Sequence, residues 1–75
     1  MSKFTSGIQV KMKPEILQED TRRSNHHFYK RIIEEDHIGE VTDLDKAKST
    51  PQDPMYWVKF HYAAMLISEK HLTEV

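Results

Sequence analysis

Histidine is the residue type in this chain best placed to do chemistry, with His26, His27, His37, His61 and His71 among 75 residues. Imidazole ligates metals and titrates near neutrality. Adjacent side chains on a helix diverge by about 100°, so His26 and His27 do not chelate one ion together. A zinc site would need His37, His61 or an acid brought close by folding. The reading adopted is scattered surface histidines, with no metal and no cofactor; pH-dependent docking is the milder alternative. There is no cysteine, which excludes thiol nucleophiles, disulfides and cysteine-held zinc or iron–sulfur centres. Ser6 and Ser68 lack a nucleophile-elbow setting, and Gly7 and Gly39 alone cannot build a phosphate-cradling loop. Glu34 and Glu35 form a carboxylate pair on a solvated helix face, a poor setting for general acid–base work. The expectation is a protein with no catalytic residues.

Binding is the better prospect. Trp57, Lys59 and His61 alternate along one run and share its outer face, where an indole beside cations can anchor a protein contact or stack on a base. A second candidate is the basic set Lys11, Lys13, Arg22, Arg23, Lys30 and Arg31, suited to an acidic protein partner. Net charge is −1, yet residues 1–35 carry seven Lys/Arg against five Asp/Glu and residues 36–75 four against seven. Two ordinary solvated surfaces account for this; a mildly basic docking face is the alternative. Duplex binding normally needs a larger basic excess.

The elements that position these residues are legible from period and punctuation. Residues 55–62, Met-Tyr-Trp-Val-Lys-Phe-His-Tyr, read as a central strand with Tyr56, Val58 and Phe60 inward. After a polar, frayed segment to Ser6, residues 8–13 alternate strictly, with Ile8, Val10 and Met12 inward, and Pro14 ends the strand. Pro14-Glu15 starts a short helical turn docked by Ile16 and Leu17. Ser24 or Asn25 caps a helix to about Asp36, its stripe formed by Phe28, Tyr29, Ile32 and Ile33. Acids at its end oppose the macrodipole and weaken the last turn. That stripe must pack on something, and Trp57 is the surface expected to receive it; otherwise Trp57 is exposed.

Residues 37–44 form the second strand, with Gly39 marking a bulge or a close backbone approach. Residues 45–54 form a long hairpin loop, which plain tolerance of loop length explains; a contact loop is the alternative. Residues 63–67 pair back on the central strand. Ser68 caps a single turn to His71, and residues 72–75 make a last strand with Leu72 inward.

Five short strands, a glycine bulge and a one-turn helix before the last strand describe a mainly β fold, a small SH3-like barrel occupying residues 1–75. The helical insertion covers about residues 15–36. Gly7-Ile8-Gln9-Val10-Lys11-Met12-Lys13-Pro14, Gly39-Glu40-Val41, Trp57-Val58-Lys59-Phe60 and Leu72-Thr73-Glu74-Val75 run in an order that resembles the electron-transport accessory barrels. These include the small peripheral subunit of photosystem I, the variable chain of ferredoxin–thioredoxin reductase and the ferredoxin-docking subunit of the photosynthetic NADH dehydrogenase-like complex. The resemblance implies a non-catalytic accessory or regulatory subunit docking on a larger protein complex. Residues 15–36 depart from that pattern, where the family has a short loop. Gly39-Glu40-Val41 also resembles the centre of a KOW motif, which implies a nucleic-acid-binding barrel as the alternative.

A domain this short sits near the lower limit for a self-sufficient core, so closure of the sheet, a partner or a symmetric self-association would supply burial. No apolar run reaches the roughly 20 residues of a membrane span and no signal peptide opens the chain, so a cytoplasmic location is expected.

Overall fold

The computed structural model describes residues 4–19, 23–61 and 63–75. Arg22, in the predicted basic set, and Tyr62, at the end of the predicted central strand, lie outside the described residues. The elements are β1 (Gln9–Met12), α1 (Ile16–Glu19), α2 (Arg23–Glu34), β2 (Ile38–Leu44), β3 (Met55–Lys59), β4 (Ala64–Ser68), a 3₁₀ turn (Glu69–His71) and β5 (Leu72–Glu74). All five strands join one antiparallel sheet in the order β4-β3-β2-β1-β5. Among the described residues no ladder joins β4 to β5, so the architecture is a five-stranded sheet with helices inserted after its first strand.

Alternation builds the core. Val10 and Met12 of β1, Val41 of β2, Tyr56, Val58 and Phe60, Met65 and Ile67 of β4, and Leu72 of β5 are all buried on the inner face. Gly39 faces that core by close approach: a Cβ there would lie 2.6 Å from Val58 Cγ1 and 2.7 Å from Phe60 Cε1. The bulge expected at Gly39 sits instead between Val41 and Asp43, where the β2–β3 register shifts. Gly39 itself keeps regular pairing with Val10, because what its lack of a side chain supplies is room.

The helix stripe is as the periodicity predicts, but its destination differs. Tyr29 and Ile32 are buried in the same cluster as Val10, Met12 and Ile16, with Phe28, Ile33 and Leu17 partly buried against it. An apolar stripe goes where apolar surface is offered, and that is the inner face. Trp57 is not sequestered by it and remains 37 % exposed. Because α2 begins by Arg23, Ser24 and Asn25 fall inside the helix and do not cap it.

The helix end is stronger than its acids imply. Asp36 takes a left-handed conformation (φ 54°), Asp36 N–H donates to the Ile33 carbonyl and His37 N–H to that of Ile32, at 3.2 and 3.0 Å. This is a Schellman stop, which usually carries glycine and here carries aspartate. The acids that oppose the helix dipole meet cations: Lys11 lies 3.0 Å from Asp36 and Arg31 3.4 Å from Glu35.

Three other expectations are corrected. The segment before β1 is docked rather than frayed from Phe4 onward: Phe4 is buried, and its N–H donates to the Tyr56 hydroxyl at 3.1 Å. The hydroxyl in turn donates to Glu69 at 2.6 Å, linking the chain start to the 3₁₀ turn. Ser68 precedes that turn without a side-chain cap; its hydroxyl bonds Asp53 and the Met55 sulfur instead. His71 is no surface histidine: it is 5 % exposed, and its Nε2 meets Glu19 Oε1 at 2.8 Å, tying α1 to the sheet.

Candidate functional site

Trp57 is joined to neighbouring segments by two hydrogen bonds, one donated and one accepted. Its indole N–H donates to Asp45 Oδ2 at 3.2 Å. At the bulge, the Thr42 hydroxyl donates to the Trp57 carbonyl at 3.1 Å. Cross-strand, Trp57 stands between Asp43 of β2 and Leu66 of β4. The β2–β3 loop is therefore organised by the same residue that orients the indole. Asp45 Oδ1 accepts from the amides of Ala47 and Lys48, and Ser49 exchanges hydrogen bonds with Met55. Beside the indole runs a groove of about 230 Å³ that also includes Asn25 at the start of α2, Lys48, Ala64 and Leu66.

Lys59 lies one pleat along the same face, opposite Glu40 and Ala64, and is exposed. His61 follows on the turn closed by Phe60 N–H to the Ala63 carbonyl, 2.8 Å. Its ring stacks on His37, with centroids 5.6 Å apart and planes 10° from parallel. His37 Nε2 lies 2.7 Å from Glu35 Oε1. The hydrogen bond from His37 holds the Glu35 carboxyl below its ordinary value; desolvation opposes this, and Arg31 assists it. The histidines open onto a larger groove, about 410 Å³, which also borders Gln9, Ile38, Glu40, Lys59 and Phe60. Ile38 is 46 % exposed there.

Trp57 and Lys59 share one face of β3, His61 lies on the turn beyond the strand, and the described members of the basic set lie in different places. Lys11 is engaged by Asp36 and Arg31 by Glu35. Lys13 sits at the other end of β1, in a cleft that also holds Asp53, Glu69 and Lys70. Lys30 is exposed on α2, whose first residue is Arg23. The remaining histidines are apart: His26 Nε2 donates to the Leu17 carbonyl at 3.3 Å, and the His27 ring lies 4.0 Å from Phe28. Among the described residues no group of three His, Cys, Asp or Glu converges on a common metal position. Sequence reasoning missed Asp45 as the partner of Trp57, and the Glu35–His37–His61 row. The capping pattern at Asp45 was the one local signal; the histidine row depends on the β2–β3 register.

No family model, curated protein or solved structure matches this chain. What stands of the resemblance to accessory barrels is its coarse part, a small mainly β protein with a five-stranded antiparallel sheet and a short helical insertion.

Proposed function

We propose that the chain is a non-catalytic accessory or regulatory subunit that docks on a larger protein through the outer face of β3. The observation that carries this reading is an exposed indole held by Asp45 in a defined orientation. A rigid aromatic anchor loses little entropy on binding, which is why such residues dominate interface energetics. The rim carries both signs of charge, Asp43, Lys48 and Lys59, which fits a protein surface better than a polyanion. We read the curved sheet as an SH3-like barrel, its seam between β4 and β5 bridged by the 3₁₀ turn. The sequential order β5-β1-β2-β3-β4 supports this.

Affinity capture from the source cells, followed by binding measurements with the purified partner, tests the assignment. Trp57→Ala should lose the partner while keeping the wild-type circular dichroism spectrum. Reversing Arg22, Arg23, Lys30 and Arg31 to glutamate should weaken recovery less. Unchanged binding by Trp57→Ala overturns the assignment of this face. The nucleic-acid alternative predicts salt-dependent quenching of Trp57 by single-stranded RNA or DNA. Asp43 and Asp45 beside the indole weigh against it.

A further inference from the structure

We infer that Met55 is an oxidation site for peroxides, and that its sulfoxide is relayed to the loop that holds Trp57. The chain has four methionines. Met12 and Met65 are buried in the core, and Met1 lies outside the described residues. Met55 opens β3 on the same face as Trp57 and is only half-buried, which leaves its thioether within reach of a small oxidant. The Ser68 hydroxyl donates to that sulfur at 3.0 Å, and a further lone pair is left for attack on a peroxide. With hydrogen peroxide, the sulfur attacks one oxygen, an S–O bond forms and the O–O bond breaks. The departing hydroxide takes the proton of the transferred oxygen. The thioether is oxidised to the sulfoxide and the peroxide is reduced to water.

The surroundings of Met55 carry the change to Trp57. A thioether is a weak acceptor, whereas a sulfoxide oxygen is polar and needs a donor. The donor already in place is the Ser68 hydroxyl, which is shared with Asp53 Oδ2 at 3.4 Å. Drawn to the sulfoxide, it leaves the Asp53 carboxylate without that bond. Asp53 closes the turn at one end of the β2–β3 loop, its N–H donating to the Thr50 carbonyl at 3.1 Å and to the Thr50 hydroxyl at 3.0 Å. The loop's other end hangs on Met55 itself. Its carbonyl accepts from Asp45 N–H at 2.9 Å, and its N–H donates to Ser49 Oγ at 2.7 Å. Asp45 in turn holds the indole. Both ends of the loop that orients Trp57 are therefore bonded either to Met55 or to the donor of its sulfur.

The test is exposure of the full chain to dilute hydrogen peroxide, with site-resolved mass spectrometry of quenched time points. Met55 should convert to the sulfoxide about tenfold faster than Met12 and Met65. The fluorescence emission of Trp57, the single tryptophan, should shift in step with that conversion. Met55→Leu, which nearly conserves volume, should keep the fold and abolish the shift under the same treatment. Ser68→Ala should still be oxidised at Met55 but should lose the shift, because no hydroxyl is drawn from Asp53. Conversion of Met55 no faster than that of Met12 and Met65 overturns the site. Unchanged emission on oxidation, or a shift that persists in Met55→Leu or Ser68→Ala, overturns the relay.

Discussion

The two faces of β3 use consecutive residues for opposite purposes. Tyr56, Val58 and Phe60 are buried in the hydrophobic core cluster. Trp57 and Lys59 stand on the other side, with His61 on the turn beyond; the indole is held by its bond to Asp45 and the His61 ring stacks on His37. Alternation assigns a residue to a face, but the kind of constraint differs: volume governs the inner face and individual hydrogen bonds the outer one. Changes inside should therefore cost stability broadly, and changes outside should alter recognition with the fold intact.

The sharpest contrast is predicted for Phe60→Ala, which empties a core position and should cost about 3–5 kcal/mol. In a 75-residue chain that is much of the total, so chemical denaturation should show a largely lost folding transition. Gly39→Ala probes the same face from β2. The added methyl meets Val58 and Phe60 side chains at under 3 Å, and the overpacking should cost about 1–3 kcal/mol in a urea melt. Tyr56→Phe keeps the ring but removes the hydroxyl that accepts from the Phe4 amide and donates to Glu69, a loss of about 1–3 kcal/mol.

On the outer face, Trp57→Ala should cost only about 1 kcal/mol of stability, mostly through its bond to Asp45, while partner affinity falls by about 30-fold or more. A stability loss as large as that of Phe60→Ala would erase the distinction between the faces. The smallest effect is expected for Glu35→Gln. Because the Glu35 carboxyl is depressed, it stabilises the fold above the ordinary carboxylate range, and that contribution is lost as pH falls through the lowered value. Wild type should thus exceed Glu35→Gln slightly at neutral pH, with the gap closing on acidification; a gap that widens in acid would reverse the sign of the argument.

Much of the fold was legible along the chain because strong local signals agree. The strict alternation of residues 8–13, the i to i+4 pairing of Phe28 with Ile32 and of Tyr29 with Ile33, and Pro14 after β1 each point to one element. The positions that misled are those where tertiary context competes with a local rule. Ser68 looked like a cap, but Asp53 and Met55 take its hydroxyl. Asp36 sits where glycine would ordinarily announce a helix stop, so the end of α2 was read as weak although Lys11, distant in sequence, answers its charge. Phe4 gave no pattern at all, since one aromatic near a terminus has no periodicity.

At the candidate site, the two-residue repeat of a strand puts Trp57 and Lys59 on one face, while β3 ends at Lys59 and His61 falls on the turn beyond it. The sequence by itself determined that shared face and the divergence of His26 and His27. What that face meets follows from how the elements pack. The burial available to α2 sends its stripe to the inner face and leaves Trp57 exposed. The β2–β3 register carries His37 to His61, and the bulge at Thr42 brings its hydroxyl to the Trp57 carbonyl. Periodicity is a property of neighbours along the chain, whereas a site is made by strands and helices whose register and packing are settled together.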